Sequence, residues 1–348
     1  MKLKIKNFLK LVLKRLKYIS LFLFSKNSTL ASIYYVLFSK EFKNEQLAVL
    51  LGKLNYYKSD GVNSDSSALL RRNVHRIEKG LIMRPRRAVF GLAYLNETID
   101  CYTRASFNSN ISKSQEFLWA YDVLSKYFNV VDRNNEIISC CFDKFTKVSP
   151  LHQNENKLVP YEKKSIVRAA ISYEELTLLF KQRRSNRWFI DRKVDINIFK
   201  EAVEISSQAP SACNRQPFKF IFSNDKSKVK KIAESAMGTA GFSDNIPSIV
   251  AVIGDLSCYP FERDRHVIYI DSSLASMQLL LSLEILGLNS CVINWPDIVA
   301  RDKKISELLG LKPHEKVVML IAVGYGDEQG LIPFSQKKTA DELVIEVK

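Results

Sequence analysis

The sequence has few of the residues that build metal and disulfide sites. Its six cysteines include no C-x-x-C pair, and only four histidines accompany them in 348 residues. Structural zinc sites need closely spaced Cys and His ligands, so we expect no metal centre. The sparse, irregular spacing fits reduced thiols in a cytosolic protein, or cysteines that serve as small buried hydrophobic residues.

The sequence also lacks a long uncharged apolar run. The longest uncharged stretches near the N-terminus are 18–25 and 27–39, with Lys26 between them. A membrane-spanning helix needs about 20 mostly apolar residues, and a signal peptide needs a small-residue cleavage site, which is missing here. An ordinary membrane span is therefore not predicted, although a strained one with snorkelling lysines is left open.

Positive charge is abundant and unevenly spread. Residues 1–58 hold eleven Lys and one Arg against two Glu, which gives +10 of the net +15. Within 1–24, apolar residues follow helical spacing while four lysines take the opposite face. The apolar set is Ile5, Phe8, Leu9, Val12, Leu13, Leu16 and Ile19, and the lysines are Lys6, Lys10, Lys14 and Lys17.

This basic amphipathic pattern is typical of helices that lie in a membrane interface. We therefore expect residues 1–26 to touch an anionic membrane surface, which would make a cytoplasmic protein peripheral at the inner membrane face. A helix packed on its own protein or on a partner is the alternative. Nucleic acid is not an expected partner, because no recognised nucleic-acid motif is present and the charge is concentrated at one terminus.

The first half of the chain is predicted to be mostly helical. Helical patterns cover 68–80, 88–102 and 115–128, whereas 132–161 is polar and lacks clear periodicity. The division that we predict is a basic amphipathic segment (1–60), a helical extension (61–150), a linker (151–172) and a C-terminal domain (173–348).

A dense polar cluster lies in the first of these helical patterns. His75 or Arg76 could reach an active site, or the cluster could be a salt-bridge network, since Glu78 lies within one turn of both residues.

The C-terminal half alternates helices and strands, which indicates an α+β fold. Helices are predicted at 173–181, 195–208, 226–236, 271–286 and 301–309, and strands at 218–222, 249–253, 291–293 and 317–323. The last three strands are apolar runs without alternation, so we expect central strands covered on both faces in a three-layer α/β/α sandwich. Helix 271–286 is apolar almost all round, which favours a subunit interface over a core helix.

Three polar constellations carry candidate chemistry. The first, 183–187, alternates Arg183, Ser185 and Arg187, with Arg184 between them, so an extended turn would aim guanidinium forks and a hydroxyl at one anion. A solvated basic turn is the alternative. The third is the Gly-Tyr-Gly sequence at 324–326, which is followed by Lys337 and Lys338. These two lysines could bind a phosphate, or they could belong to an ordinary solvated basic tail.

The second constellation is the 210–217 loop. Pro210 and Pro217 stiffen it, while Ser211, Asn214 and Gln216 supply groups that form hydrogen bonds. An amide that both donates and accepts suits the pyrimidine edge of an isoalloxazine ring. The alternative is a rigid turn whose amides satisfy its own backbone.

Taken together, these motifs resemble the nitroreductase family. That family has an R-x-S-x-R/K box, a P-S-x-x-N-x-Q-P loop, an interface helix beginning D-x-x-x-A, an L-G-L turn and a late G-Y. Here they stand in order at 183–187, 210–217, 271–275, 286–288 and 324–325. The resemblance covers about residues 173–345.

The resemblance implies a homodimer with two FMN sites at its interface. Arg183, Ser185 and Arg187, with Arg184 beside them, would bind the FMN phosphate and ribityl chain, and Lys337 or Lys338 would complete the phosphate site. It also implies ping-pong electron transfer between NAD(P)H and a small-molecule substrate, with no acid–base side chain required. A non-catalytic flavin-binding or membrane-associated interaction protein is the alternative.

The same resemblance assigns the ring contacts. Asn214 would contact the flavin ring, with Pro210, Ser211 and Gln216 nearby, and the Asn294 N–H would face its reactive side. The chain departs from the pattern at 294–296, where many members have a Gly-Gly or Glu-Gly pair. We expect Trp295 to alter the substrate cavity there, and 238–241 to form either a mobile lid or a plain surface loop.

Overall fold

The computed structural model describes residues 2–59, 62, 66–150 and 155–347. Helices dominate the first half of the chain, as the sequence predicts. The helices there are α1 (Lys2–Phe24), α2 (Ser28–Leu37), α3 (Lys43–Ser59), α4 (Ala68–Leu81), α5 (Leu92–Ser106), α6 (Gln115–Val130) and α7 (Glu136–Phe145).

Helices α4 to α7 share a hydrophobic core of their own. Val74 and Ile77 of α4, Ile99 of α5 and Leu124 of α6 are fully buried in one cluster. Helix α7 belongs to the same cluster through Ile138, although it falls where the sequence shows no clear period. The Asn135 side chain caps α7 by accepting from the backbone of its first turn, which is a local signal for its start.

The C-terminal half is an α+β domain. Its helices are α8 (Tyr173–Gln182), α9 (Ile196–Ser206), α10 (Lys226–Ser235), α11 (Val267–Ile285), α12 (Val299–Leu309) and α13 (Ala340–Leu343). Its strands are β1 (Phe218–Ser223), β2 (Ser248–Asp255), β3 (Asn289–Asn294) and β4 (Glu315–Gly324). Asp195 and Asp225 cap α9 and α10 with their side chains, which accept from backbone N–H groups of the first turn.

Helices cover both faces of the sheet. The strands pair antiparallel in the order β1-β2-β4-β3. Ile249 and Ala251 pack with α10 and α12 on one face, whereas Val250 and Val252 pack with α9 and α11 on the other. The predicted three-layer sandwich is confirmed. One expectation is wrong: β3 lies at an edge of the described sheet, and its Val292 is 40% exposed.

Helix α11 begins earlier than predicted and is not buried all round. Leu279 and Leu283 face the core. The opposite face is an exposed apolar stripe at helical spacing, formed by Ile270, Leu274, Met277 and Ile285 with half-buried Leu281 between the last two. The single chain therefore leaves one side of this helix without apolar cover.

Helix α1 lies on the outside of the molecule. Six of the seven residues of its predicted apolar face, such as Phe8, Leu9 and Leu16, are more than half exposed, and Val12 is half-buried. The helix contacts α2 near its end, where Phe24 packs against Tyr34 and Phe38. Among the helices that the structure describes, none is both long and apolar enough to cross a bilayer.

Candidate functional site

The arginine segment (183–187) runs beside β3. Helix α8 ends at Gln182, and Arg183 already has an extended backbone. Ser185 then forms a β-bridge with Ser290, and the Asn186 N–H donates to the Ser290 carbonyl at 3.0 Å. The extended turn predicted from the alternating residues is therefore present.

The arginine segment influences the buried Cys291 of β3. Burial raises the pKa of the Cys291 thiol, while the charges of Arg187 and Arg183 and a hydrogen bond with Ser185 act to lower it. The backbone bridge between Ser185 and Ser290 places the segment beside this stretch of β3.

The charge of the arginine segment is only partly compensated, since burial raises the pKa of Glu284 while the charge of Arg183 acts to lower it. Within the described residues, Arg183, Arg184 and Arg187 have no carboxylate within 4.0 Å. The hydroxyl of Ser290, which is buried beside Ser185, makes no hydrogen bond. Unpaired guanidinium groups next to an unsatisfied hydroxyl are the donor set of an anion site, and they suit a phosphate.

The two C-terminal lysines are placed differently from each other. Lys337 and Arg184 both line a cleft of 530 Å³ that the chain from Ile332 to Gln336 completes. Lys338 is exposed and does not line this cleft. Of the two lysines predicted for the phosphate, the structure brings Lys337 to the arginine segment.

The 210–217 loop holds three non-glycine residues in the left-handed region. The φ angles are +55° at Cys213, +53° at Asn214 and +50° at Gln216. Such a conformation costs roughly 1–3 kcal/mol for a residue other than glycine, and it persists only where surrounding contacts enforce it. Strain of this kind is characteristic of ligand-binding turns.

Hydrogen bonds at both ends maintain the loop. The Ala212 N–H donates to Asp271 Oδ2 at 2.9 Å, and the Gln216 N–H donates to Ser211 Oγ at 3.1 Å. The Gln216 side chain also turns back, since its Nε2 donates to the Ser207 carbonyl at 3.2 Å. Ser211 and Gln216 therefore support the loop itself, whereas the Asn214 carboxamide makes no hydrogen bond within the described part of the chain.

Within one chain, the arginine segment and the 210–217 loop lie at opposite ends of α11. The loop is attached to Asp271 in the first turns, whereas Gln182, just before the segment, donates to Glu284 in the last turn at 3.3 Å. Thirteen residues of helix separate these points, or about 20 Å at 1.5 Å per residue. The two polar sets are therefore anchored at opposite ends of this helix.

The residues at the end of β3 correct one expectation. Asn294 is exposed, but Trp295 is 7% exposed, and its indole N–H donates to Asp302 Oδ1 at 2.8 Å. Trp295 belongs to the core beneath α12 and does not line a substrate cavity. An indole with a buried hydrogen-bond partner is stable in such a position, and an apolar run followed by Trp does not reveal this orientation.

Buried side chains at Thr239 and Phe242 anchor the 238–241 loop to the domain. Thr239 is 2% exposed and donates its hydroxyl proton to the Ala233 carbonyl at 2.8 Å. Phe242 is buried next to it, with the Arg187 guanidinium 5.9 Å from its ring centre. These contacts support the alternative of an ordinary surface loop.

The polar cluster of α4 turns out to be structural. Glu78 accepts from the Trp119 indole at 3.0 Å and pairs with His75 at 3.1 Å, and Arg76 stacks on Tyr94. The network thus joins α4 to its neighbouring helices, and the active-site interpretation of His75 and Arg76 is not supported.

A different residue of α4 reaches the candidate site. The Arg71 Nε donates to the Asn214 carbonyl at 2.8 Å. Sequence reasoning missed it, because in a run of two arginines nothing distinguishes Arg71 from Arg72.

The C-terminal half of the chain is similar to known proteins. The model of the nitroreductase family matches residues 180–252 and 245–325. An Archaeoglobus fulgidus protein described as an NADH dehydrogenase/NAD(P)H nitroreductase is 29% identical over 158 residues, covering 45% of this chain and 88% of that protein. Human iodotyrosine deiodinase 1 is 24% identical over 215 residues, covering 54% and 72%.

A solved structure of a nitroreductase family protein from Streptococcus pneumoniae is 25% identical, with a TM-score of 0.43, and covers 49% of this chain and all of that one. Residues 180–325, less than half of this chain, thus match the nitroreductase family. By class it is an oxidoreductase with a helical region in front of the family domain.

Proposed function

We propose that this protein is an FMN-dependent oxidoreductase that passes electrons from NAD(P)H to a small organic substrate. The carrying observation is the presence of two polar sets on one domain. Within the described residues, Arg183 and Arg187 have no carboxylate within 4.0 Å, Ser185 adds a hydroxyl beside them, and the strained 210–217 loop presents the free Asn214 amide. The first set suits a phosphate, and the second suits the edge of a flavin ring.

We propose further that each site is built by two copies of the chain. The polar sets lie about 20 Å apart along α11, whose outer face carries the exposed apolar stripe. If two copies pair antiparallel along this stripe about a two-fold axis, the arginine segment of one copy comes next to the 210–217 loop of the other. Such an isologous contact buries the stripe and completes two equivalent sites at once.

The residues of this chain would bind and orient the cofactor. Arg183 and Arg187 would neutralise the phosphate, and Lys337 would approach it beside Arg184. Asn214 would donate to and accept from the ring, and the exposed backbone at Asn294 would lie at its edge. Bound FMN would supply two-electron redox chemistry between NAD(P)H and the second substrate. No acid–base side chain is assigned.

Anaerobic flavin reduction tests this function. Purified protein loaded with FMN should lose its absorption near 450 nm when NADH or NADPH is added, and a quinone or a nitro- or haloaromatic compound should restore it in a separate step. The names of the relatives include a nitroreductase and a deiodinase, so both acceptor types belong in the assay. Flavin that binds but is not reduced by either nucleotide would instead indicate the non-catalytic alternative.

We also propose that helix α1 docks on an anionic membrane surface at the cytoplasmic side. Residues 1–40 contain nine basic and no acidic residues, and the apolar face of α1 is exposed. Each Lys or Arg near an anionic bilayer contributes about 1 kcal/mol, and the apolar face would add burial in the headgroup region.

Deleting residues 1–26 is expected to abolish sedimentation with phosphatidylserine-containing vesicles, because both the charge and the apolar face are lost. Changing Lys6, Lys10, Lys14 and Lys17 to Gln should weaken binding strongly while leaving the helix pattern intact. Neutral phosphatidylcholine vesicles are the control, and the full chain should bind them weakly. Equal vesicle binding by the full and shortened chains would rule out this docking and favour a helix packed on protein.

A further inference from the structure

A side chain from the N-terminal helical region reaches the strained 210–217 loop. Arg71, in the first turn of α4, donates its Nε proton to the carbonyl of Asn214 at 2.8 Å. The Arg71 side chain is 14% exposed, and its guanidinium lies 5.7 Å from the centre of the Trp119 ring. The acceptor belongs to a residue with a φ of +53°.

Glu116 of α6 orients this guanidinium from the other side. Its Oε2 accepts from Arg71 Nη1 at 3.1 Å and from the Ser66 hydroxyl at 2.6 Å, while its Oε1 accepts from the Ser67 N–H at 2.8 Å. The Glu116 side chain is only 6% exposed, so the buried carboxylate has little freedom to move. Because the donors of a guanidinium have a fixed planar geometry, holding Nη1 on Glu116 also sets the direction of Nε.

Contacts within the C-terminal domain hold the two ends of the loop. Asp271 holds Ala212, and Ser211 holds Gln216. Within the described residues, Arg71 is the donor to the Asn214 carbonyl, which lies between those ends. Two consecutive left-handed residues, Cys213 and Asn214, precede that carbonyl, and they need a contact of this kind to persist.

We propose that Arg71 is a positioning residue for the flavin site, acting together with Glu116. The guanidinium holds the Asn214 carbonyl, which keeps the turn left-handed and leaves the Asn214 carboxamide available to the ring. The helical region in front of the family domain therefore completes the cofactor site. This inference rests on the proposed FMN function.

The test compares Arg71→Lys and Arg71→Ala with Arg72→Ala in the full-length chain. Arg72 lies on the same helix, 3.8 Å from Glu97. In R71K the lysine ammonium keeps a positive charge beside Glu116, so the charge of the helical region is preserved. A lysine lacks the planar guanidinium, however, and cannot donate to Glu116 and to the Asn214 carbonyl at the same time in this geometry.

Two readouts are measured for each variant: hydrogen exchange of the loop amides in the FMN-free protein, and the dissociation constant for FMN. The Asn214, Arg215 and Gln216 amides are hydrogen-bonded within the loop and report its order. Loss of one charge-assisted hydrogen bond should speed their exchange by about tenfold in both Arg71 variants and weaken FMN binding by about the same factor. R72A should match the unaltered protein.

Two results would overturn the inference. R71K could match the unaltered protein in both readouts, or R72A could raise loop exchange as much as the Arg71 variants do, which would indicate a general loss of helical structure. An unaltered protein that fails to bind FMN would overturn the proposed function instead. Even then, loop exchange in the FMN-free protein would still decide whether Arg71 positions the turn.

Discussion

Changing Arg183 and Arg187 together to Ala is expected to abolish FMN retention while leaving the chain folded. Each arginine would give the phosphate a charge-assisted hydrogen bond of about 1.5–3 kcal/mol, so losing both should raise the dissociation constant by roughly 10²–10⁴-fold. The fold should tolerate the change, since neither side chain has a carboxylate within 4.0 Å among the described residues, although the favourable charge interaction between Arg183 and Glu284 is lost.

Flavin fluorescence titration and the far-ultraviolet circular dichroism spectrum would check this result. The matched control is Lys228→Ala with Lys231→Ala, which removes the same charge from exposed positions on α10, away from the arginine segment. If the R183A/R187A protein stays yellow through purification, the phosphate role of the arginine segment is wrong.

Placing carboxylates on the exposed stripe of α11 is expected to separate the two copies. Leu274→Asp with Met277→Asp would bring four like charges together near the two-fold axis, and juxtaposed like charges in an interface cost several kcal/mol. The protein should then be monomeric at micromolar concentration. It should also lose FMN, because each site draws residues from both copies.

Sedimentation velocity and FMN titration measure both consequences on one sample. The control is Phe107→Asp, which adds a charge at an 83% exposed aromatic residue of the helical region. A monomeric L274D/M277D protein that binds FMN as tightly as the control would show that one chain suffices for the site. A variant that stays dimeric would place the interface elsewhere.

Local signals predict most of the C-terminal fold. Asp195 and Asp225 precede helical periods and do cap helices, because a side-chain oxygen there satisfies backbone N–H groups that the helix leaves free. The apolar runs at 249–253 and 317–323 are central strands, as expected. The similar run at 291–293 is at an edge, because strand order depends on pairing between distant segments and is not encoded in one run.

The candidate site was predictable in its parts but not in its arrangement. The alternation of Arg183, Ser185 and Arg187 predicts an extended turn, and the backbone is extended where Ser185 bridges Ser290. Their separation from Asn214 along α11 emerges only from the packed structure. Trp295 could not be oriented from the sequence either, since its partner Asp302 lies on the following helix.

The contribution of α4 to the candidate site could not be predicted from the sequence either, because the two residues in contact are far apart along the chain. Arg71 and Asn214 are 143 positions apart, and their hydrogen bond depends on how the helical region packs against the family domain. A run of arginines next to an apolar helical face predicts a surface salt bridge equally well. Long-range polar contacts of this type are not marked in the sequence by a local periodicity or a capping residue.

Native mass spectrometry of the purified full-length protein, incubated with FMN, tests directly whether two chains share each flavin site. One dominant species of about 80 kDa, twice the 39.9 kDa chain, should carry two FMN molecules. FMN should also be absent from any residual monomer, because neither half-site is complete alone. A monomer that carries one FMN, or a dimer that carries none with FMN in excess, would contradict the shared flavin site.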